Sequence, residues 1–263
     1  MKLFYKEYAN DRAELTLIIL HGLLGSGRNW HTIATRLSER YRVIVPDMRN
    51  HGRSPHSETH RLADMVEDVY ELQQDTGALP AVILGHSMGG LVAMEMAFRV
   101  PEALHGLIVV DIAPRPHRAR VADVLEAMTG VRLHDLQTKK EVDEALAQAI
   151  ASPVVRQFVL TNLMAAETGF QWRVNLPVLQ RFLIESQSYR PAPTDMYEGP
   201  TLFIRGGKSG YIRDEDFSLL QHHFPRVRLE TVPDAGHWVH YEAPDTLLRL
   251  VVEFLQEVQQ EVG

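Results

Sequence analysis

The sequence predicts an α/β fold, a mostly parallel, doubly wound sheet with a helical insertion. Short runs of continuous apolar residues, typical of strands buried on both faces, alternate with longer segments whose apolar residues recur at helical spacing. The alternation stops between residues 113 and 193 and then resumes. A chain of 263 residues is long enough for one such domain with an insertion.

The first half of the chain alternates regularly between the two patterns. Strands are predicted at residues 15–20 (LTLIIL), 42–46 (RVIVP), 81–84 and 107–110. Helices are predicted between them at residues 29–39, 61–74 and 88–99. Because continuous apolar strands that alternate with helices are typical of a parallel sheet, we expect helices to cover both faces.

The middle of the chain is predicted to be a helical cap. No convincing strand is found there, and helices are expected at residues 121–128, 140–150, 153–165 and 176–186. Strands at 201–204 and 227–232 and helices near 214–221 and from Pro244 restore the first pattern. We therefore assign residues 1–112 and 194–263 to a core and 113–193 to the cap. An insertion after the carboxyl end of a strand lies where such sheets bind ligands.

Composition excludes several kinds of site and partner. The net charge of −7 disfavours nucleic acid as a partner. The absence of cysteine excludes disulfides, thiolate nucleophiles and Cys-ligated metals. The thirteen histidines are scattered and HExxH is absent, so we expect neither a metal nor a cofactor. We also expect no signal peptide, no membrane span and a cytoplasmic location; the oligomeric state is not predicted.

The stretch VILGHSMGG, residues 82–90, indicates a catalytic nucleophile. Ser87 follows a buried strand and opens a helix, the context that a G-x-S-x-G nucleophile elbow requires. The turn is so tight that a Cβ at Gly85 or Gly89 would collide with neighbouring backbone. We expect Ser87 to be strained, with its Oγ exposed at a helix N-terminus that favours negative charge. An N-cap serine is the structural alternative.

Two backbone N–H groups are candidates for an oxyanion hole. One belongs to Met88, the residue after the nucleophile, and the other to Leu23, in the glycine-rich loop after the first strand. This loop lacks the Lys-Ser/Thr ending of a P-loop and the G-x-G-x-x-G register, so we do not expect a nucleotide. A turn without any ligand role is the alternative.

The general base is expected late in the chain, because the order in such folds is serine, acid, histidine. His237, in the stretch AGHW after the last strand, is the candidate. His240 is second and fits a structural role better.

The acid of the triad is less determined. Folds of this order often carry an aspartate about four residues beyond the penultimate strand, but Ser209 stands there and cannot hold an imidazolium by charge. Asp111, at the end of the strand expected beside that of Ser87, is the favoured replacement. Asp214 and Asp216 remain open.

Two other aspartates are interpreted as structural. Asp47, in the block PDMRNHGRSP, is expected to tie down its loop, and Asp234 to serve a turn.

The motifs HGLLGS, D-x-R-N-H-G-x-S, GHSMGG and AGHW, in this order, resemble those of the α/β-hydrolase superfamily over almost the whole chain. More narrowly, LHGLLGSGRNW, VVDIAP, QWRVNL and FIRGGKSGYI resemble the bacterial YbfF-type esterases, whose animal relatives are mitochondrial. The resemblance implies an α/β-hydrolase fold and hydrolysis of small-molecule carboxylic esters or acyl thioesters. In that group the missing aspartate is a shared departure, and the VDIAP aspartate is the natural acid, which supports Asp111.

The sequence thus predicts a serine hydrolase. Leu24 is expected near the mouth of the substrate pocket and Phe170, Trp172 and Trp238 as its walls, with plain core packing as the alternative for the aromatic residues of the cap. A C–C bond hydrolase or cofactor-free perhydrolase would use the same triad, and a non-catalytic ligand-binding protein is a third alternative.

Overall fold

A computed structural model describes residues 1–117 and 121–262 of the chain. In this part, seven strands form one sheet in the order β1-β3-β2-β4-β5-β8-β9, and β6 and β7 form a separate pair. β1 is antiparallel to β3, and the other neighbours in the large sheet are parallel. The strands are β1 Tyr5–Tyr8, β2 Thr16–Leu20, β3 Arg42–Pro46, β4 Ala81–His86, β5 Leu104–Val110, β6 Leu163–Ala165, β7 Phe170–Trp172, β8 Thr201–Gly206 and β9 Val227–Val232.

Helices cover both faces of the sheet. The α-helices are α1 His31–Leu37, α2 Leu62–Thr76, α3 Met88–Arg99, α4 Ala122–Gly130, α5 Lys139–Ala147, α6 Pro153–Leu160, α7 Leu176–Ser186, α8 Phe217–His223, α9 Val239–Glu242 and α10 Pro244–Val262. Ile18 packs in the apolar core shared with α2, α3 and α8, whereas its neighbour Leu17 packs in the core shared with α1 and α10. Successive strand residues therefore face opposite cores, and the predicted doubly wound sheet is confirmed.

Two features of the fold were not expected from the sequence. β1 is a short edge strand with a polar and largely exposed sequence, YKEY, so it lacks the apolar run that marks a buried strand. Within 113–193, the expectation of helices alone was wrong. The helix predicted at 153–165 ends at Leu160, and β6 and β7 form an antiparallel pair. Strands of three residues are too short to show an alternating pattern.

The segment 113–193 has an apolar core of its own. It combines side chains of α4 to α7 and the connecting segments with Leu24, a buried residue from outside the segment, and Leu23 packs against it. We keep the division into a core and a cap, residues 113–193, as a proposal. Within the described residues, no helix combines the length and the apolar character needed to cross a bilayer.

A buried ion pair fixes the loop after β3. Arg49 donates from Nε and Nη2 to the two carboxylate oxygens of Asp68, on α2, at 2.6 and 2.8 Å. Its Nη1 donates to Thr59 Oγ1 at 2.8 Å. Asp68 is fully buried and Arg49 nearly so, so both charges need ionic partners. Asp64 Oδ2 also lies 3.4 Å from Arg49 Nη1, and the N-terminal ammonium of Met1 donates to Asp68 Oδ1.

We predict that Asp68→Ala lowers the free energy of unfolding by about 3 kcal/mol, because it removes the carboxylate that accepts two hydrogen bonds from the buried guanidinium of Arg49 and leaves only Asp64 as its counter-charge. Urea denaturation measures the change. The control is Glu253→Ala, which breaks the exposed pair between Arg249 and Glu253 on α10 and should cost at most about 0.5 kcal/mol. Equal losses in the two variants would contradict the importance assigned to the buried pair.

Candidate functional site

The parallel pairing of β4 with β5 brings Ser87 and Asp111 to the same edge of the sheet. His86, the last residue of β4, pairs with Val110, the last residue of β5, and the two candidate residues follow directly. Ser87 N–H donates to Val110 O at 3.0 Å, and Asp111 N–H donates to Ile204 O, on β8, at 2.8 Å. The backbone therefore sets where both side chains begin.

Ser87 has a strained backbone, with φ 52° and ψ −116°. The glycines around it are required by close backbone contacts. A Cβ at Gly85 would lie 2.1 Å from Gly89 O, and a Cβ at Gly89 would lie 2.3 Å from Leu20 O. The collisions expected from the sequence are confirmed.

His237 connects the two candidate residues. Its Nε2 lies 3.0 Å from Ser87 Oγ and its Nδ1 2.7 Å from Asp111 Oδ2. With the proton on Nδ1, the imidazole donates to Asp111 and presents the lone pair of Nε2 to the serine hydroxyl. The arrangement can deprotonate Ser87 and stabilise the imidazolium that results.

Asp111 is fully buried, and its carboxylate is well supplied with donors. Oδ1 accepts from Gly206 N–H at 2.9 Å. Oδ2 accepts from the hydroxyl of Ser209 as well as from His237. Ser209, the residue that stands where an aspartate was sought, thus hydrogen-bonds the carboxylate on the neighbouring strand.

The alternative acids are engaged elsewhere. Asp214 is largely exposed and lies 2.6 Å from Arg205 Nη1. Asp216 accepts from Arg115 Nε at 2.7 Å and from Arg213 N–H at 2.8 Å.

Asp47 and Asp234 also have other partners. Asp47 accepts from the N–H groups of Gly27 and Arg53 at 2.7 and 2.8 Å, so it ties down its loop. The carboxylate of Asp234 lies 3.5 Å from Lys208 Nζ.

The glycine-rich loop lies against the elbow. A Cβ at Gly22 would lie 3.3 Å from the Cβ of Ser87. Leu23, Ser87 and Met88 line one small cavity of about 60 Å³. Within the described residues, the N–H groups of Leu23 and Met88 donate to no other protein group. Two donors are thus available beside the serine.

A larger cavity of about 390 Å³ also reaches Ser87 and His237. Leu24 and Trp238 line it, as expected from the sequence, and Phe158, on α6, lines it beside Trp238 with their ring centroids 5.4 Å apart. The cavity can hold an apolar group next to the serine and the imidazole.

Phe170 and Trp172 lie elsewhere, which corrects their expected place in the pocket wall. Neither lines the two cavities beside Ser87. Both belong to β7 and pack against the apolar core of the cap, and Trp172 Nε1 donates to Met128 O at 3.0 Å. The core-packing alternative describes their surroundings.

Sequence reasoning missed three residues that hold His237. The carboxylate of Glu242 accepts from Gly236 N–H at 2.8 Å and from Trp238 N–H at 3.2 Å, on either side of the histidine. His86 Nε2 donates to His237 O at 2.9 Å, and Tyr211 stacks on the imidazole with ring centroids 4.3 Å apart. Glu242 could have been noticed as a carboxylate five residues after His237, at the end of α9, but no motif marks this role.

A group of buried imidazoles surrounds the site. Burial lowers the pKa of His21, and it lowers the pKa values of His51 and His86 well below the ordinary value. It lowers the pKa values of His60 and His240 to about 3. These five side chains are therefore neutral at pH 7.

We predict that the free energy of unfolding falls as the pH is lowered from 7 to 5.5. The imidazoles of the unfolded chain bind protons near pH 6.5, whereas those of His51, His60, His86 and His240 in the folded chain do not, so protonation favours the unfolded state. The loss should be about 1 kcal/mol for each of these four imidazoles, measured by urea denaturation at the two pH values.

In the variant His60→Gln, the free energy of unfolding should depend less on pH, and the loss between pH 7 and 5.5 should be smaller by about 1 kcal/mol, the contribution of one imidazole. His134, which is exposed, provides the control, and His134→Gln should keep the pH dependence of the unsubstituted chain. An unchanged slope in His60→Gln would contradict the account.

Comparison with known proteins gives the family. The family model described as alpha/beta hydrolase fold matches residues 16–244. The sn-1-specific diacylglycerol lipase ABHD11 of Mus musculus is 35% identical, over 97% of this chain and 85% of that protein. Esterase YbfF of Escherichia coli is 31% identical, over 94% and 96%. A solved structure named marine microorganism esterase superposes with a TM-score of 0.92 at 33% identity, covering 96% of this chain and 99% of that one. The resemblance to the YbfF-type esterases is thereby confirmed, and the chain belongs to the α/β-hydrolase family.

Proposed function

We propose that the protein is a serine hydrolase that cleaves carboxylic esters or acyl thioesters through an acyl-enzyme on Ser87. The observation that carries the proposal is the hydrogen-bonded series from Ser87 Oγ through His237 to Asp111, with distances of 3.0 and 2.7 Å. Relatives named as an esterase and a lipase support the same class. A cytoplasmic location, expected from the sequence, belongs to the proposal.

In the first half-reaction, Ser87 Oγ attacks the acyl carbon while His237 Nε2 takes the hydroxyl proton. The carbonyl electron pair moves to oxygen, and the N–H groups of Leu23 and Met88 donate to the oxyanion. Asp111 keeps the imidazole in the required tautomer and stabilises the imidazolium.

The tetrahedral intermediate then collapses. The bond to the alcohol or thiol breaks, and the leaving group takes the proton from His237 Nε2. Water attacks the acyl-enzyme by the same route, giving its proton to His237, and the carboxylic acid leaves as Ser87 recovers its hydroxyl proton.

The leaving group has to lie beside His237, because it receives a proton from that ring. Of the two cavities described above, both of which reach Ser87, the larger one is lined by His237 and Trp238. We therefore assign the leaving group to the larger cavity, where the apolar side chains favour an apolar group.

We predict that Asp111→Asn lowers kcat for p-nitrophenyl acetate by about 10⁴-fold, because the amide favours the wrong imidazole tautomer. Asp214→Asn is the control and should keep kcat near that of the unsubstituted chain, since its carboxylate is exposed and pairs with Arg205. Release of p-nitrophenolate measures both rates. Near-normal kcat in Asp111→Asn with an inactive Asp214→Asn would reject Asp111 as the acid.

A second pair of variants tests the assignment of the larger cavity. Trp238→Ala should raise KM for esters with a bulky apolar leaving group by about 10-fold, because it removes an apolar wall. Trp172→Ala should leave KM nearly unchanged and lower the free energy of unfolding by about 2 kcal/mol, because that ring packs in the cap. An unchanged KM in Trp238→Ala together with a raised KM in Trp172→Ala would contradict the placement of the leaving group.

A further inference from the structure

We infer that Asn162, in the cap, and His51, in the core, are positioning residues that hold the oxyanion loop in its working conformation. The cap would then control the reactivity of Ser87 as well as the shape of the pocket. This inference rests on the proposed function, in which Leu23 N–H is an oxyanion donor.

The oxyanion loop forms a tight turn with an unfavourable residue in it. Gly25 N–H donates to Gly22 O at 3.0 Å, which closes a four-residue turn around Leu23 and Leu24. Leu24 has a φ of 62° at the third position of this turn, where glycine is preferred. A leucine keeps a left-handed conformation only when surrounding contacts hold it.

The core holds the N–H of Leu24. This group donates to His51 Nε2 at 3.2 Å, while His51 Nδ1 donates to Arg49 O at 2.9 Å. The second bond fixes the tautomer in which Nε2 is an acceptor. Burial lowers the pKa of His51 well below its ordinary value, so the acceptor persists near neutral pH.

The cap holds the carbonyl of the same residue. Asn162 Nδ2 donates to Leu24 O at 2.8 Å, across a contact that is buried on both sides. The backbone carbonyl of Asn162 in turn accepts from Arg173 N–H at 2.8 Å. Asn162, whose side chain reaches the loop, is thus held in the cap by its backbone.

The side chain of Leu24 strengthens the same connection. It is 1% exposed and belongs to the apolar core of the cap, although the residue lies in the loop after β2. The side chain of Leu24 thus links the loop to the cap, which glycine could not do. This link explains why a leucine stands at a turn position that suits glycine. A shift of the cap would therefore move the backbone next to Leu23, and a small displacement of an oxyanion donor is costly to catalysis.

A second cap asparagine provides a matched control. Asn175 Nδ2 donates to Asn50 Oδ1 at 3.1 Å and to Ser57 O at 3.3 Å, and its N–H donates to Asn50 O at 3.1 Å. Asn175 therefore also joins the cap to the core, at Asn50 and Ser57 in the loop after β3. Its hydrogen bonds reach neither Leu24 nor the side chain of His51, although Asn50 directly precedes His51.

The experiment compares kcat and KM for p-nitrophenyl acetate in four variants. Asn162→Ala should lower kcat by about 10- to 100-fold and leave KM within about 3-fold, since the lost geometry serves the transition state. Asn162→Asp, which keeps the size but not the donor, and His51→Phe, which keeps a ring but not the acceptor, should behave alike. Asn175→Ala should keep kcat within about 3-fold, and circular dichroism checks that each variant is folded.

The outcomes separate this inference from the proposed function. If the unsubstituted chain hydrolyses the ester and folded Asn162 variants keep its kcat, the positioning role is overturned and the hydrolase proposal stands. If Asn175→Ala loses as much kcat as Asn162→Ala while His51→Phe keeps it, docking of the cap in general is responsible and the inference is likewise overturned. If the unsubstituted chain does not hydrolyse the ester, the proposed function itself fails.

Discussion

The register between neighbouring parallel strands is the constraint on which the site depends. β4, β5 and β8 end at the same edge, so Ser87 and Asp111 leave the sheet side by side and the loop after β8 passes next to them. Parallel pairing fixes these positions to within a residue, because a slip of one residue would turn each side chain to the opposite face. His237, brought by the loop after β9, then needs to span only the gap between two groups that the backbone has already placed.

The same edge explains how a carboxylate can be buried there. Asp111 would be costly to bury unpaired, but it receives hydrogen bonds from a backbone N–H, a hydroxyl and an imidazole. The hydroxyl is that of Ser209, in the loop after the adjacent strand. Because β5 and β8 are neighbours, a carboxylate after the first strand and a hydroxyl after the second lie close together. The acid of the triad could therefore stand at either position, with a hydrogen-bond donor at the other.

Much of the fold and of the candidate site could be predicted from the sequence, because these features depend on local patterns. The buried strands appear as continuous apolar runs, the glycines of the elbow follow from steric contact, and chain order directs the search to His237.

β1 and the β6–β7 pair could not be predicted, because short or exposed strands leave no periodic signal. Phe170 and Trp172 were misplaced since an aromatic side chain fits a pocket wall and a core equally well. Contacts between distant segments, such as that of Asn162 with Leu24, have no signature in one sequence. The contact of Glu242 with the nearby loop of His237 is local, but no motif marks it.

The central claim is that Ser87 is made nucleophilic by the imidazole of His237. Treatment with a fluorophosphonate, followed by mass spectrometry of the digested protein, tests it most directly, because such a reagent reacts with an activated serine and spares unactivated hydroxyls. We expect one adduct, on the peptide that contains Ser87, and its loss when His237 is replaced by alanine. An unlabelled Ser87, or labelling that does not depend on His237, would contradict it.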